Sequence, residues 1–288
     1  MDYRSCITGR ESSYIQVTND LRLPVMKEYS DNLCDLYNTY NRREFVHPDP
    51  LEFLYDYDDP EDREIVGLIS SCLAYGSVWQ ILKTVRYVLD TIGPPRKFLL
   101  NATHEKLLQT FKDFKYRFTK GEELATVLFG VGRVIRIHGS VRDCFLEGYS
   151  PNDKNTINGL TYLVAAISEV FKERPRSLLP SPAGGSACKR LNLFMRWMVR
   201  KDAVDPGGWD QIPPSKLIVP MDVHMGRICR RLKLTSRSQS DLKAALEVTE
   251  AFRKIEPDDP VRYDFCLTRL GIRDDLEPDE FLKGCGVE

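Results

Sequence analysis

The chain has 288 residues, of which 42% are hydrophobic and 29% are charged. This length suffices for one large domain or two small interlocked ones, and the composition excludes wholesale disorder. The formal net charge is −1, which excludes a general attraction of the whole molecule to polyanions. A nucleic-acid partner would therefore have to be bound by local basic patches.

The sequence also bears on where the protein works. No apolar run approaches the ~20 residues that a membrane helix needs, and the first residues lack the basic-then-apolar order of a secretory signal. The eight cysteines include no C-x-x-C pair, which favours buried free thiols in a reducing cytosol over a zinc ribbon. We expect a cytoplasmic protein, nucleoid-associated if it acts on DNA, with no membrane partner.

In chain order, residues 1–25 predict an N-terminal extension without clear periodicity, and residues 26–288 predict one all-α domain. Aspartates before proline at residues 49, 59 and 259 are typical helix starts. Helical spacing of apolar residues predicts a helical stretch over 62–92 that is interrupted at 75–77. The same pattern predicts further helices over 104–117, 121–137, 139–147, 155–172, 187–200, 222–233, 239–254 and 260–270.

The most informative region is 178–233, where a turn rich in glycine precedes a basic amphipathic helix. Such a turn exposes backbone N–H groups that suit a phosphate, so Gly184, Gly185 and Ser186 are candidate DNA contacts. Basic residues follow on two predicted helices and supply the local positive charge that the net charge hides: Lys189, Arg190, Arg196, Arg200, Lys201, Arg227, Arg230, Arg231 and Lys233. The alternative for each of them is a solvated helix face.

Asp222 stands between Val219-Pro220-Met221 and Val223-His224-Met225. An aspartate at this place can cap the helix that follows, and capping alone would explain it. A second role is compatible with the first, because the helix dipole and free N–H groups keep such a carboxylate ionised. It could then face a developing positive charge on a sugar.

The segment VPMDVHM around Asp222 resembles the V-P-x-D-x-H stretch of the helix-hairpin-helix-Gly-Pro-Asp DNA glycosylase superfamily. The similarity is greatest to the eukaryotic 8-oxoguanine DNA glycosylases. The segment at 179–186, LPSPAGGS, resembles a lengthened form of the superfamily's hairpin. The whole chain also resembles a bacterial family distantly related to this superfamily, through NLFMRWMVRKD and VRYDFCLTRLGI.

The resemblance implies a fold of two helical lobes with a cleft between them. One lobe would comprise residues of about 60–185, and the other about 26–58 plus 187–288. It implies excision of an oxidised base, with 8-oxoguanine as the expected lesion, from double-stranded DNA by a monomer without cofactor or metal. A base would be extruded into a pocket, and Asp222 would stabilise the oxocarbenium-like transition state. His224, Arg190 and Arg227 would contact DNA.

One departure from the superfamily concerns the lysine that forms a Schiff base in members with lyase activity. That lysine follows the last hairpin glycine by two residues, where this chain has Ala187, and Lys189 stands two residues further on. A strict register would rotate Lys189 by roughly 200° on a helix and point it away from Asp222. A lengthened hairpin that starts the helix later would let Lys189 reach the cleft as the second catalytic residue, so lyase activity stays open.

Other candidates are weighed against simpler explanations. Asp264 and Phe265 are candidate base-pocket residues, with Phe265 as a stacking ring, but a core aromatic explains Phe265 equally simply. The four histidines show no ligand spacing for a metal. Two alternative functions remain: a non-catalytic nucleic-acid-binding module that keeps the fold, and a related enzyme that acts on RNA or a free nucleoside.

Overall fold

A computed structural model describes residues 23–171, 178–270 and 278–286 of the chain. Thirteen α-helices are present in this part of the chain, and the only sheet within it has two short strands. The mostly helical structure confirms the all-α prediction. The helices are α1 (Leu23–Tyr40), α2 (Pro60–Leu73), α3 (Val78–Ile92), α4 (Pro95–Asn101), α5 (His104–Thr110), α6 (Gly121–His138), α7 (Val141–Glu147), α8 (Ile157–Ser168), α9 (Lys189–Val199), α10 (Val223–Arg231), α11 (Leu242–Ile255), α12 (Asp264–Leu270) and α13 (Pro278–Gly284).

The strands β1 (Lys115–Tyr116) and β2 (Thr119–Lys120) pair antiparallel between α5 and α6. They correct the predicted helix over 104–117, which ends at Thr110. The side chain of Tyr116 is buried and its hydroxyl donates to the carbonyl oxygen of Tyr75. The hairpin therefore packs on the interruption between α2 and α3, which the sequence placed correctly at 75–77.

Capping explains where two of the predicted helices start. Asp59 caps α2 by accepting from the amide of Glu61 at 2.8 Å, and Asp49 accepts from the amide of Leu51 at 3.0 Å at the start of a 3-10 helix. The third Asp-Pro pair, Asp259-Pro260, begins a turn instead, and α12 starts only at Asp264. The side chain of Asp259 accepts a hydrogen bond of 2.9 Å from Arg200 Nε.

The helices pack around a continuous hydrophobic core. In one group α6 contacts α4, α5, α7 and α8, and α2 contacts α3 and α4; in the other, α12 contacts α1 and α10. Helix α9 packs on α2, and its Arg196 binds Asp264 at the start of α12, so α9 joins the two groups. Of the predicted N-terminal extension, residues 1–22 lie outside the described residues, and Leu23 already begins α1.

Within the described residues no single helix is long and apolar enough to cross a membrane. Helices α6 and α7 would together be long and apolar enough, but they are bent by 72° where they meet. Seven cysteines lie in the described part of the chain, and all but Cys34 are buried.

Candidate active site

The glycine hairpin before α9 has a defined turn geometry. The amide of Gly184 donates to the carbonyl oxygen of Ser181 at 3.2 Å, and that of Gly185 donates to Pro182 at 2.9 Å. Gly185 has φ 75°, in the left-handed region that favours glycine. The carbonyl oxygen of Gly185 accepts from the amide of Leu242 at 3.3 Å, which ties the hairpin to the start of α11.

This geometry changes which groups could hold a phosphate. The amides of Gly184 and Gly185 are used within the turn, so they are not the donors that the sequence suggested. The amides of Ser186 and Ala187 find no acceptor among the described residues. The first amides of α9, which follow directly, have no partner within the helix. Donors for an anion are therefore displaced to the residues between the hairpin and α9.

Asp222 is the N-cap of α10. Its Oδ1 accepts from the amide of Met225 at 2.7 Å, and its backbone oxygen accepts from the hydroxyl of Ser240 at 3.2 Å. The preceding segment is buried, and the amide of Val219 donates to Thr249 Oγ1 at 3.0 Å. These contacts fix the position of the carboxylate through Oδ1 and the backbone, and they leave Oδ2 available for another partner.

That second oxygen meets Lys189. Lys189 Nζ lies 2.8 Å from Asp222 Oδ2, and the two side chains are 33% and 18% exposed. The register question is thereby answered: Cys188 has a left-handed conformation with φ 44° and ψ 41°, and α9 begins only at Lys189. Because the helix starts later than a strict register requires, the lysine points toward Asp222.

The ionisation of Asp222 follows from its neighbours. Burial alone would raise the pKa of Asp222, but the charge and hydrogen bond of Lys189 and the amide of Met225 outweigh it and lower the pKa below its ordinary value. The carboxylate is therefore a stable anion at neutral pH. A fixed negative charge of this kind can stabilise a developing cation.

The Lys189–Asp222 pair lines a cleft of about 420 Å³, within the range of about 300–1,000 Å³ that is usual for small-molecule sites. The cleft lies between residues 48–50, residues 74–81, α9 and α12. Its apolar wall includes Tyr75, Val78, Ile81 and Leu193. Its charged and polar residues are Asp49, Lys189, Arg196, Asp222, His224, Asp264, Thr268 and Arg269.

A buried network of charges supports one side of the cleft. Arg196 donates through Nε to Asp205 at 3.1 Å and through Nη1 to Asp264, and all three side chains are at most 2% exposed. Arg200 binds Asp205, Asp202 and Asp259. Burial raises the pKa of Asp264 to about 6, although the charge of Arg196 opposes this shift.

These contacts correct the predicted basic patch. Arg196 and Arg200 are 2% and 3% exposed and are fully engaged by carboxylates, so neither can displace counterions from DNA. Arg190 donates to the carbonyl oxygen of Cys72 at 2.5 Å, and its guanidinium lies 5.1 Å from the centre of the Tyr75 ring. It braces the end of α2 beside the cleft.

The remaining predicted DNA contacts fall in two places. His224 is exposed and lines the cleft beside Asp222. Arg227 is exposed on the next turn of α10 but faces a different groove, which it shares with Arg231 and α13. The structure therefore brings His224 to the Lys189–Asp222 pair and leaves Arg227 outside the cleft.

Of the two predicted base-pocket residues, only Asp264 reaches the cleft. The ring of Phe265 is 1% exposed and lies beneath the guanidinium of Arg269, 4.5 Å from it. Phe265 is not among the residues that line the cleft. Its placement gives no support to a stacking role and matches the alternative of a core aromatic.

Sequence reasoning missed three residues of the cleft: Asp49, Arg196 as a buried group, and Arg269. Arg269 donates to Asp49, although the two are 220 positions apart. One signal was available for Arg196, because it stands between Met195 and Trp197 within the apolar part of α9. A lone arginine on an apolar face implies a buried acidic partner. No local pattern marks Arg269.

The described residues thus define a mostly helical protein with a partly enclosed cleft that contains a lysine–aspartate pair. No three His, Cys, Asp or Glu side chains within the described ranges converge as metal ligands. Residues 49–273 match the model of the family described as "Protein of unknown function (DUF2400)", and the chain belongs to this family. The match spans both catalytic candidates and α12. No curated protein and no solved structure matches the chain.

Proposed function

We propose that this protein is a DNA glycosylase that excises an oxidised base from double-stranded DNA, with 8-oxoguanine as the lesion, and that it cleaves the strand as a lyase. The observation that carries the proposal is the 2.8 Å contact between Lys189 Nζ and Asp222 Oδ2 in a cleft. An amine next to a carboxylate supplies the nucleophile and the group that can take its proton. The choice of 8-oxoguanine rests on the resemblance around Asp222.

The surroundings of the pair support a reaction at a sugar. Both residues lie at the beginning of helices, where unpaired amides favour an anion such as a DNA phosphate. The hairpin that precedes α9 exposes Gly184, Gly185 and Ser186 to solvent beside them. The cleft wall at Tyr75, Val78 and Leu193 provides an apolar surface for a flat ring.

The proposed reaction uses the two side chains in turn. The Nζ of Lys189, after losing a proton, attacks C1′ of the sugar, and the bond between C1′ and the base breaks with its electron pair leaving on the base. Asp222 stabilises the positive charge that develops on the sugar. A second proton passes from Nζ to the ring oxygen as the bond from C1′ to that oxygen opens, which gives a protonated imine. Loss of a proton from C2′ then breaks the 3′ C–O bond by β-elimination, and its electron pair leaves on the phosphate.

The pKa of Asp222 affects how the proton is transferred. The lowered pKa of Asp222 makes it a weak base in the free protein. When a base and its sugar enter the cleft, they displace water from Lys189 and Asp222. Loss of this water disfavours the charged form of each side chain. Proton transfer from Lys189 to Asp222 then becomes favourable. Asp222 passes this proton to the departing base, so the carboxylate is an anion again when positive charge develops on the sugar.

Borohydride trapping tests this proposal. Duplex DNA with a single 8-oxoguanine is incubated with the protein and sodium borohydride, which reduces an imine to a stable covalent adduct. We expect an adduct with the wild-type protein and none with Lys189→Gln or Lys189→Arg. Base release without an adduct would show a glycosylase without lyase activity, and an adduct in Lys189→Gln would assign the amine elsewhere. Binding without base release from any lesion duplex would reject the enzyme in favour of a binding module.

A further inference from the structure

Two buried polar atoms on α12 have no hydrogen-bond partner among the described residues: Asp264 Oδ1 and Arg269 Nε. Both side chains line the cleft that contains Lys189 and Asp222. Buried polar atoms are paired in the great majority of cases, because a buried donor or acceptor that has lost its hydrogen bonds to water destabilises the folded protein unless it finds another partner. Two such atoms at one cleft indicate a ligand that pairs with both.

The rest of each side chain is firmly held. Asp264 Oδ2 accepts from Arg196, and Arg269 Nη2 donates to Asp49. The side chains of Asp264 and Arg269 are 1% and 2% exposed. These ion pairs orient both side chains before a ligand arrives. The two unpaired atoms, Asp264 Oδ1 and Arg269 Nε, are therefore a preorganised acceptor and donor.

The charges of the cleft indicate what kind of ligand fits. Lys189, Arg196 and Arg269 are balanced by Asp49, Asp222 and Asp264, all of which line the cleft. A site of balanced charge does not favour a phosphate over a neutral molecule. A neutral flat ring with one N–H group and one oxygen acceptor satisfies both unpaired atoms and can lie against the apolar wall.

We propose that Asp264 Oδ1 and Arg269 Nε are the specificity-determining pair of the cleft and select a nucleobase that presents a ring N–H beside a carbonyl oxygen. The inference rests on the proposed function and adds to it the two atoms that recognise the base. Asp264, held as an anion by Arg196, accepts from the ring N–H, and Arg269 donates to the carbonyl oxygen.

Base chemistry explains how this pair discriminates. In an unmodified purine, N7 carries a lone pair and accepts hydrogen bonds. Oxidation at C8 places a proton on N7 and a carbonyl oxygen next to it. A carboxylate oxygen attracts this N–H but repels the lone pair of an unmodified N7, so the same contact favours the oxidised base and disfavours the normal one.

Asp264→Asn tests the pair because it exchanges the hydrogen-bond acceptor of the pair for a donor. Arg196 continues to donate to the side-chain carbonyl oxygen of the asparagine, so the NH₂ group takes the place of Oδ1 and an acceptor becomes a donor. Binding is measured with duplexes that contain 8-oxoguanine or 8-bromoguanine, which has a similar shape but keeps the N7 lone pair. All variants carry Asp222→Asn so that base release is too slow to affect the binding measurement.

We expect the Asp222→Asn parent to prefer the 8-oxoguanine duplex by about tenfold or more, as for a good base contact, and Asp264→Asn to lose this preference. Asp205→Asn is the matched control, because Asp205 is the other buried partner of Arg196 and does not line the cleft. It should weaken folding but leave the preference intact.

Equal binding of the two duplexes by the parent would overturn the proposal, as would an Asp264→Asn variant that weakens both equally. If Asp264→Asn does not fold, Arg269→Met decides the question, since it removes the Nε donor and should also reduce the preference. Because binding is measured without base release, a preference of the parent that Asp264→Asn loses supports the pair even if the wild-type protein proves to release no base. If the wild-type protein releases the base but the parent binds the two duplexes equally, the specificity-determining pair is rejected and the proposed glycosylase activity is not.

Discussion

Lys189 and Asp222 are 33 residues apart in the sequence, yet Nζ and Oδ2 lie 2.8 Å from each other. Each residue stands at the N-terminus of a helix, Lys189 as the first residue of α9 and Asp222 as the N-cap of α10. The carboxylate divides its oxygens between a helix amide and the amine. One residue thus serves both the fold and the proposed chemistry.

The first prediction concerns the charge of Asp222. Asp222→Asn should lower the rate of base release on the order of 10²-fold or more, because it removes the charge that stabilises the transition state. DNA binding should change by only a few-fold, since asparagine still caps a helix. Single-turnover rates and equilibrium binding measure the two effects.

A matched control is available in Asp241→Asn. Asp241 caps α11 by accepting from the amide of Ala244 at 2.9 Å, in the way that Asp222 caps α10, but it does not line the cleft. It should release the base at the wild-type rate. An Asp222→Asn protein that turns over normally would remove the central claim.

The second prediction concerns the effect of Lys189 on Asp222. The charge of Lys189 is the largest of the effects that lower the pKa of Asp222, so Lys189→Gln should raise this pKa. Lys189→Arg keeps a positive charge and should leave the pKa low. Carbon-13 NMR titration of the Asp222 carboxyl group measures both. An unchanged pKa in Lys189→Gln would show that the ion pair does not form in solution.

The third prediction concerns salt and DNA. Since Arg196 and Arg200 are buried, binding to undamaged duplex should depend on exposed residues such as Arg227. Each phosphate contact adds roughly −0.9 to the slope of log K against log salt concentration, so Arg227→Gln should flatten the slope by about that amount. Arg253→Gln is the charge-matched control, because it lies about three turns along α11 from the hairpin contact at Leu242. Equal slopes for wild type and Arg227→Gln would show that this residue does not meet DNA.

The fourth prediction concerns Gly185. Its left-handed conformation, with φ 75°, costs an L-residue roughly 1–2 kcal/mol. Gly185→Ala should therefore lower the free energy of unfolding by about 1 kcal/mol. Gly184→Ala should change it little, because its φ is not positive and an added methyl group meets no atom within 4 Å. Urea unfolding measures both, and similar losses in the two variants would contradict the assigned turn.

The fifth prediction concerns the buried carboxyl group of Glu64. It accepts from the amides of Val141 and Arg142 and from Trp209 Nε1, but burial outweighs these contacts and raises its pKa to about 7. The folded protein therefore binds more protons than the unfolded chain between about pH 4.5 and 7, and the contribution of Glu64 to stability falls as the pH rises through this window.

Glu64→Gln isolates this contribution because glutamine does not titrate and all other groups are shared. The stability advantage of wild type over Glu64→Gln should be larger at pH 5 than at pH 8 in urea unfolding. An advantage that is constant with pH would mean that Glu64 keeps an ordinary pKa in the folded protein.

Local patterns in the sequence were sufficient to predict the helical class, the interruption at 75–77 and the helix start at Asp222. These features depend on apolar spacing and on capping, which are local. The sequence also brought Asp222 and Lys189 forward as candidates, through the resemblance of VPMDVHM and the nearby hairpin. It could not settle the register of Lys189, because this depends on the left-handed turn at Cys188, which no residue preference announces.

Which charged side chains face the cleft depends on contacts between helices that are distant in the sequence. The basic helix α9 looked like a DNA-binding surface because Arg196 and Arg200 are charged, but carboxylates distant in sequence, such as Asp259 and Asp264, draw them into the core. Arg269 is held at the cleft by its ion pair with Asp49. Such pairings depend on how helices meet across the core, and a single sequence records the charge of each residue but not the partner that neutralises it.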